Sequence, residues 1–558
     1  MLTPITLIRK QHRCCLLILL GLAPVTMSAQ DSLLLRDYTV VKESDAWLTT
    51  PNAAALTRYQ LKNIAEADLS LGYAGGRLTD FSGGDAATDV TAQVASYYRL
   101  NERTVFFGAI SYDNWSGTGM TGSAFLPFTV TATAVPQSAT LRPFDIVEDS
   151  LTNAGRKHRD TYNLTGAFSY SVTNGLAIGL RLDYTAANYA KYKDLRHKNK
   201  LMDLTASAGI YAPLLPWLSV GANYTYHRQT ESVKFSINGK SDKVYQSLID
   251  YGTFLGQVEQ FGNEGYTDKS REMPLFEDSH GGSFQLELRP LNGWTLFGSM
   301  TLGHATGYYG RQSPYTVTYT DHKRDFLETH VRLTHAPLMC MTRHHLDLRY
   351  RYEELQNKVN TYRAVLTDKE AASYEYYDPT ETGDKRLRII TADYTLYLGQ
   401  RATDELPRWA FTAGYHWQQR TQKSYLFPYY RLQQLKTHEV VASCTRNFLL
   451  PNGVFSLTVN GGFLKGSGEP YTDGTFATPA AKQSLPATME AFLYQDYHLL
   501  TAAQYAIGLQ AKYAFIFPGT PLKTYLRTNL QHRKANERLN DYCGRDRSSA
   551  TIAVGCTF

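Results

Sequence analysis

Apolar and polar side chains alternate with a period of two along most of this chain. In Leu176–Tyr184, Arg181 and Asp183 fall opposite Ile178, Leu180 and Leu182. In Leu346-Asp347-Leu348-Arg349-Tyr350-Arg351-Tyr352-Glu353 every charge shares one face and every apolar side chain the other. Two-sided patterning of this kind predicts β-strands. Further strands are expected at 162–171, 202–211, 219–227, 284–289, 294–302, 345–353, 409–418, 455–463 and 504–515. Turn chemistry recurs between them at Thr173-Asn174-Gly175, Asn292-Gly293, Pro451-Asn452-Gly453 and Pro518-Gly519-Thr520. Long polar stretches at 113–159, 228–281, 354–384 and 465–490 read as loops.

The stretch Ser549–Phe558 carries the same signal to its end. Ala550, Ile552, Val554, Cys556 and Phe558 share one face, with small and polar residues on the other. A strand with a free edge needs a partner, and closing a sheet into a barrel removes the edge. This stretch resembles the terminal strand of bacterial outer-membrane β-barrels, whose closing aromatic is part of an insertion signal. The resemblance implies that role for Val554, Cys556 and Phe558.

Other features point the same way. Arg9, Lys10 and Arg13, the apolar run Cys14–Leu22 and the small pair Ser28-Ala29 read as a secretory signal, so 1–29 is expected to be removed. No later apolar run approaches the ~20 residues of a membrane helix. The mean hydropathy of −0.35 would suit a soluble protein, yet the chain holds 40 Tyr and 24 Phe. Strands facing lipid on one side and a polar lumen on the other, between tyrosine girdles, reconcile the two. The expected fold is all-β: a transmembrane antiparallel barrel over 64–558 of about eighteen strands, range 14–18, with short periplasmic turns and long extracellular loops.

A net charge of +6, three of whose cations lie in the signal, gives no nucleic-acid footprint. Cys340, Cys444, Cys543 and Cys556 show neither metal spacing nor an expected disulfide. His322, His330, His335, His344 and His345 cluster in sequence, but His344 and His345 face opposite sides of a strand. No metal site or cofactor is expected, and with no Gly-x-Ser-x-Gly signature no enzyme is expected either.

By parity, Arg181, Asp183, Asp347, Arg349, Arg351, Glu353, Asp393 and Arg527 point into the lumen, as do Asp203, Glu287 and Arg289. A charge facing lipid would cost about 2–4 kcal/mol. Such charges either pair as struts or line a solute path. Gly179, Ser207, Gly209, Gly221, Gly414 and Gly508 on the same face leave room for water, a hatch or a solute.

Residues 30–63 precede the first strand and contain Pro51-Asn52-Ala53-Ala54-Ala55-Leu56. The Asn-Ala-Ala-Ala-Leu run resembles the Asn-Pro-Ala-Ala-Leu of the long-chain fatty-acid transporter family, here with Pro51 before Asn52. The resemblance covers about fifteen residues and implies a hatch inside the barrel, built on Asn52 and Leu56. A disordered periplasmic leader is the alternative. The segment is several times shorter than the plug of energised receptors.

These readings converge on a monomeric barrel of the Gram-negative outer membrane, held by lipid and placed by the barrel insertion machinery. It would pass a small solute of unknown identity without its own energy source. The alternative is a non-conducting accessory barrel that binds partner proteins through its extracellular loops in a surface uptake or secretion complex.

Overall fold

The computed structural model describes residues 34–126, 129–130, 137–138, 141–148, 153–173, 175–239, 242–263, 265–337, 341–366, 372–516, 522–536 and 544–558. The expected signal at 1–29, Asn174, Cys340, Cys543 and the turn expected at Pro518-Gly519-Thr520 lie outside them. Cys444 and Cys556 are free thiols.

Eighteen antiparallel strands close into one barrel. They are β1 Ile64–Gly75, β2 Ala86–Arg99, β3 Thr104–Met120, β4 Gly155–Thr173, β5 Leu176–Lys191 and β6 Arg196–Leu215. There follow β7 Leu218–Ser236, β8 Met273–Leu288, β9 Trp294–Ser313, β10 Thr316–His335, β11 Thr342–Val359 and β12 Thr380–Leu398. The last six are β13 Trp409–Leu426, β14 Tyr429–Leu450, β15 Gly453–Gly468, β16 Gln504–Ile516, β17 Lys523–Ala535 and β18 Asp546–Thr557. Each strand pairs with its sequence neighbour, and β18 returns to β1 in a register running from Thr557↔Glu66 to Ser548↔Gly75. Main-chain bonds between Ala65 and Phe558, 2.8 and 2.9 Å, finish the seam.

The outer wall is apolar over only part of its height. On β9, Trp294, Leu296, Met300 and Leu302 are exposed, and the next outward residue, His304, pairs with Asp325 of β10 at 2.6 Å. Outward tyrosines mark the same level: Tyr224 meets His280 at 2.6 Å, Tyr415 meets His438 at 2.8 Å and Tyr112 donates to Asp160 at 2.8 Å. Trp217, Trp294, Phe448, Tyr513 and Phe558 rim the other side of the belt. An apolar band between two aromatic girdles is the surface a bilayer covers. No helix among the described residues is long and apolar enough to cross a membrane.

The strands are 12 to 22 residues long, whereas about 9–11 suffice to span the bilayer. They continue well beyond the Tyr224–Tyr415 level, which corrects the loop boundaries expected from sequence. The long connections are 121–154, 237–272, 360–379 and 469–503, shorter at most ends than the polar stretches because both wall faces are polar above the belt. Some connections at that end are tight, as at 314–315 and 427–428.

Above the belt the loops fold inward. A four-stranded sheet of Asp145–Glu148, Gln246–Asp250, Leu255–Gln260 and Ala487–Thr488 forms there. Phe125, Phe144, Ile146, Tyr251, Tyr266, Tyr309 and Met273 pack in one buried cluster beside it. Helix α2, Glu490–Thr501, sets Phe492 and Leu493 against Val147, Leu248 and Phe254.

Candidate functional site

At the opposite end, the segment before β1 lies inside the barrel. It is built from three short helical turns, each opened by an Asx cap. Asp37 accepts from the Thr39 amide before α1, Tyr38–Glu43; Asp45 accepts from the Trp47 amide before Ala46–Thr49; Asn52 accepts from the Ala54 amide before Ala53–Arg58. Ala53, Ala54 and Ala55 are buried, and Leu56 packs with Tyr38, Val41 and Tyr97.

Their small size matches the wall. A Cβ on Gly179 of β5 would lie 2.2 Å from the Ala54 nitrogen, and one on Gly209 of β6 would lie 2.1 Å from Asn52 Oδ1. One on Gly221 of β7 would meet the Trp47 ring at 2.7 Å. The space left by these glycines is filled by residues 47–54. Elsewhere the same inward face is filled differently: a Cβ on Gly414 would meet Asp393, one on Gly508 would meet Asn460, and Ser207 bonds Thr225.

Polar anchors reach the segment from strands around the ring. Asn52 Nδ2 donates to the Ile210 carbonyl and to Gln285, both at 2.9 Å. Trp47 Nε1 donates to Glu287 of β8 at 2.9 Å, and Arg58 pairs with Glu287 at 3.1 Å and Asp45 at 2.7 Å. Arg99 of β2 donates to the Tyr59 and Thr57 carbonyls at 2.8 Å. Lys512 of β16 pairs with Asp37 at 2.9 Å, Lys523 of β17 donates to the Leu34 carbonyl, and Arg36 pairs with Asp404. Strands on opposite sides of a closed ring can share such a partner only across the lumen.

Directly above lies a cavity of about 830 Å³, with Thr49, Thr50 and Pro51 of the segment in its lining. Strand register places Gln285, Ser299, His330, Arg349, Thr391 and His416 side by side along its wall on β8 to β13. Most charges there are matched. Asp347 holds His330 at 2.6 Å and Arg332 at 2.8 Å. His416 bridges Asp393 at 3.0 Å and Glu439 at 3.1 Å. Arg351 pairs with Glu353 and with Glu328, and Arg324 pairs with Glu277. Glu353 also accepts from the Leu141 amide at 2.9 Å, so an inward-folded loop meets the upper wall. Arg349 is exposed and has no ion pair or hydrogen bond among the described residues.

The remaining residues singled out in the sequence are placed apart from this cavity. Arg181 and Asp183 pair with each other at 2.7 Å on β5. Arg527 pairs with Asp68 beside the β1–β18 seam at 3.1 Å. Val554 and Phe558 are exposed on the outer wall, and Cys556 is partly exposed. Sequence reasoning did not single out Trp47, Arg58, His416 or the anchors Arg99, Lys512 and Lys523. A second space of about 470 Å³ shares His416 and Val441 with the cavity and reaches Arg533 and Arg547.

Among solved structures, the chain is similar to the ferric preacinetobactin receptor BauA of Acinetobacter baumannii, with 10% identity, 89% of this chain and 80% of that one covered, and a TM-score of 0.40. It is similar to FpvA of P. aeruginosa, solved with a pyoverdine–iron complex, at 10% identity, 89% and 72% coverage and TM-score 0.39. The ferric-catecholate import receptor Fiu of E. coli K12 is similar at 7% identity, 89% and 82% coverage and TM-score 0.39. Likeness at these levels leaves the functional question to the chain's own residues. No curated protein matches the sequence. Residues 53–558 match the model of a family of unknown function (DUF6850), and the chain belongs to that family.

Proposed function

We propose that this outer-membrane barrel carries a small polar solute, held in the 830 Å³ cavity, and that residues 34–63 form the floor which must shift for passage. One observation carries this reading: Thr49, Thr50 and Pro51 line the cavity, yet they belong to a segment joined covalently to the wall only at β1. The volume lies within the ~300–1,000 Å³ usual for small-molecule sites. No bond-making chemistry is asked of the protein. The chain brings no energy source of its own in this reading, so the segment is moved by solute binding or by a periplasmic partner.

Deleting 34–63 behind an intact leader tests the proposal. The truncated barrel should retain heat-modifiable migration in SDS and show a raised conductance in planar bilayers. A folded, truncated barrel that conducts no more than the full chain would sink it.

A further inference from the structure

Resting on that reading, we infer that the cavity is selective for an anionic, hydroxyl-rich solute: a mono- or disaccharide bearing a carboxylate or phosphate, gripped by Arg349.

The inference starts from the unmatched donors. Asp347, Glu328, Glu353 and Asp393 each have a cationic or imidazole partner within 3.4 Å, so the acids of the wall are already engaged, two of them sharing Arg351. Arg349 is not. Its outward neighbour Leu348 is exposed to the lipid side, which puts the guanidinium on the cavity face, where Arg349 lines the space. A guanidinium offers five N–H donors in a planar fork that fits a carboxylate or phosphate with two parallel bonds. An anionic ligand would meet it with charge-assisted bonds.

The flanking positions supply the second half of the recognition. Ser299, His330, Arg349 and Thr391 are consecutive inward residues on β9, β10, β11 and β12. Ser299 and Thr391 make no side-chain hydrogen bond among the described residues, and each hydroxyl can donate and accept. His330 Nε2 is committed to Asp347, which in the neutral ring leaves Nδ1 as an acceptor. An acceptor and two hydroxyls beside one fork match a ligand whose ring hydroxyls neighbour its acidic group. An apolar solute would leave all four groups unpartnered, at a cost for each.

Calorimetric titration of the purified full-length barrel in detergent tests the inference, with sodium glucuronate and glucose 6-phosphate as probes and glucose as the neutral counterpart. Both anionic sugars should bind at least about tenfold more tightly than glucose, the worth of one charge-assisted bond. Arg349→Gln should erase that preference and Arg349→Lys should restore part of it, all with the heat-modifiable migration of a folded barrel. Inorganic phosphate should compete on the unaltered protein, which keeps the test independent of any variant. Equal binding of glucose and glucuronate, or an unchanged preference in Arg349→Gln, would overturn the inference. Swelling of liposomes holding the 34–63 deletion reads passage separately. Anion-selective binding with no swelling would remove the transport reading and leave the site. Swelling equal for glucose and glucuronate would remove the site and leave transport.

Discussion

Gly209 and Asn52 touch so closely that a methyl group on the Gly209 Cα would sit 2.1 Å from Asn52 Oδ1. The wall at β6 is thus shaped to the segment as well as to its neighbouring strands. Gly209→Val should push residues 47–54 out of their seat. The expected result is faster proteolysis around Arg58 and Lys62 with a rise in bilayer conductance, at an overpacking cost of about 1–3 kcal/mol. Gly166→Val makes the control, because a Cβ there meets nothing within 4 Å. It should change stability by no more than about 0.5 kcal/mol. Equal behaviour of the two variants would separate the segment from the gate.

The arginines of β11 should behave differently from each other. Arg351 pairs with Glu353 and Glu328, and Glu353 is fully buried. Arg351→Ala leaves Glu353 with the more distant Arg324, 3.7 Å away, and should lower the barrel's unfolding temperature. Arg349→Ala removes no ion pair or hydrogen bond among the described residues and should leave that temperature within error. Thermal unfolding followed by SDS migration checks the contrast; an equal drop in both would make Arg349 a strut.

Phe558 separates two roles. Its amide and carbonyl pair with Ala65, while its ring faces outward. Deleting the residue removes the seam bonds together with the ring; Phe558→Ala removes the ring alone. If the ring is read during insertion, both changes should cut membrane levels several-fold. If only the seam matters, Phe558→Ala should assemble normally. Quantitative blotting of outer-membrane fractions decides between them.

The inward-folded sheet above the membrane should respond to pH. Asp250 is buried there near Lys385 and Asp145, and burial pushes its carboxyl up to about 6 from an ordinary 3.8, Lys385 opposing the rise. The folded sheet therefore holds a proton between pH 4 and 6 that the opened chain releases. That contribution is fully present below about pH 4 and is lost as pH rises through 6. Amides of 246–260 should exchange more slowly at pH 5 than at 7.5, after correction for the intrinsic rate. Asp250→Asn should flatten the difference. Protection that rises with pH in the unaltered protein would refute the assignment.

How much of this was legible follows from the range of the interactions. Strand parity is local, so Leu180 outside with Arg181 and Asp183 opposite could be read from nine residues, and the same holds around Leu348. The strand number could be counted because each belt crossing alternates. The strand tops could not: above His304 and Asp325 both faces are polar and the alternation loses its contrast. The cavity was half legible. Arg349 could be assigned a face, but its lack of a partner among the described residues depends on where Asp347, Glu328 and Glu353 turn. Trp47 could not be found at all, since its acceptor Glu287 lies 240 residues away. His416 sits inside an expected strand, yet its significance comes from Asp393 and Glu439 on the two neighbours.

The pairing of Ala65 with Phe558 also carries a consequence in time. Every other pairing joins strands adjacent in sequence, but the pairing of β1 with β18 must wait for nearly the whole fold. Until then the growing sheet has two raw edges, each a template for pairing with the wrong chain. Contacts this remote in sequence form slowly. A chain stopped short of β18 can never become edgeless, however well its other seventeen strands fold. Closure is in this sense a completeness check written into the hydrogen bonding: only a finished barrel is sealed, and an unfinished one stays marked by its open side.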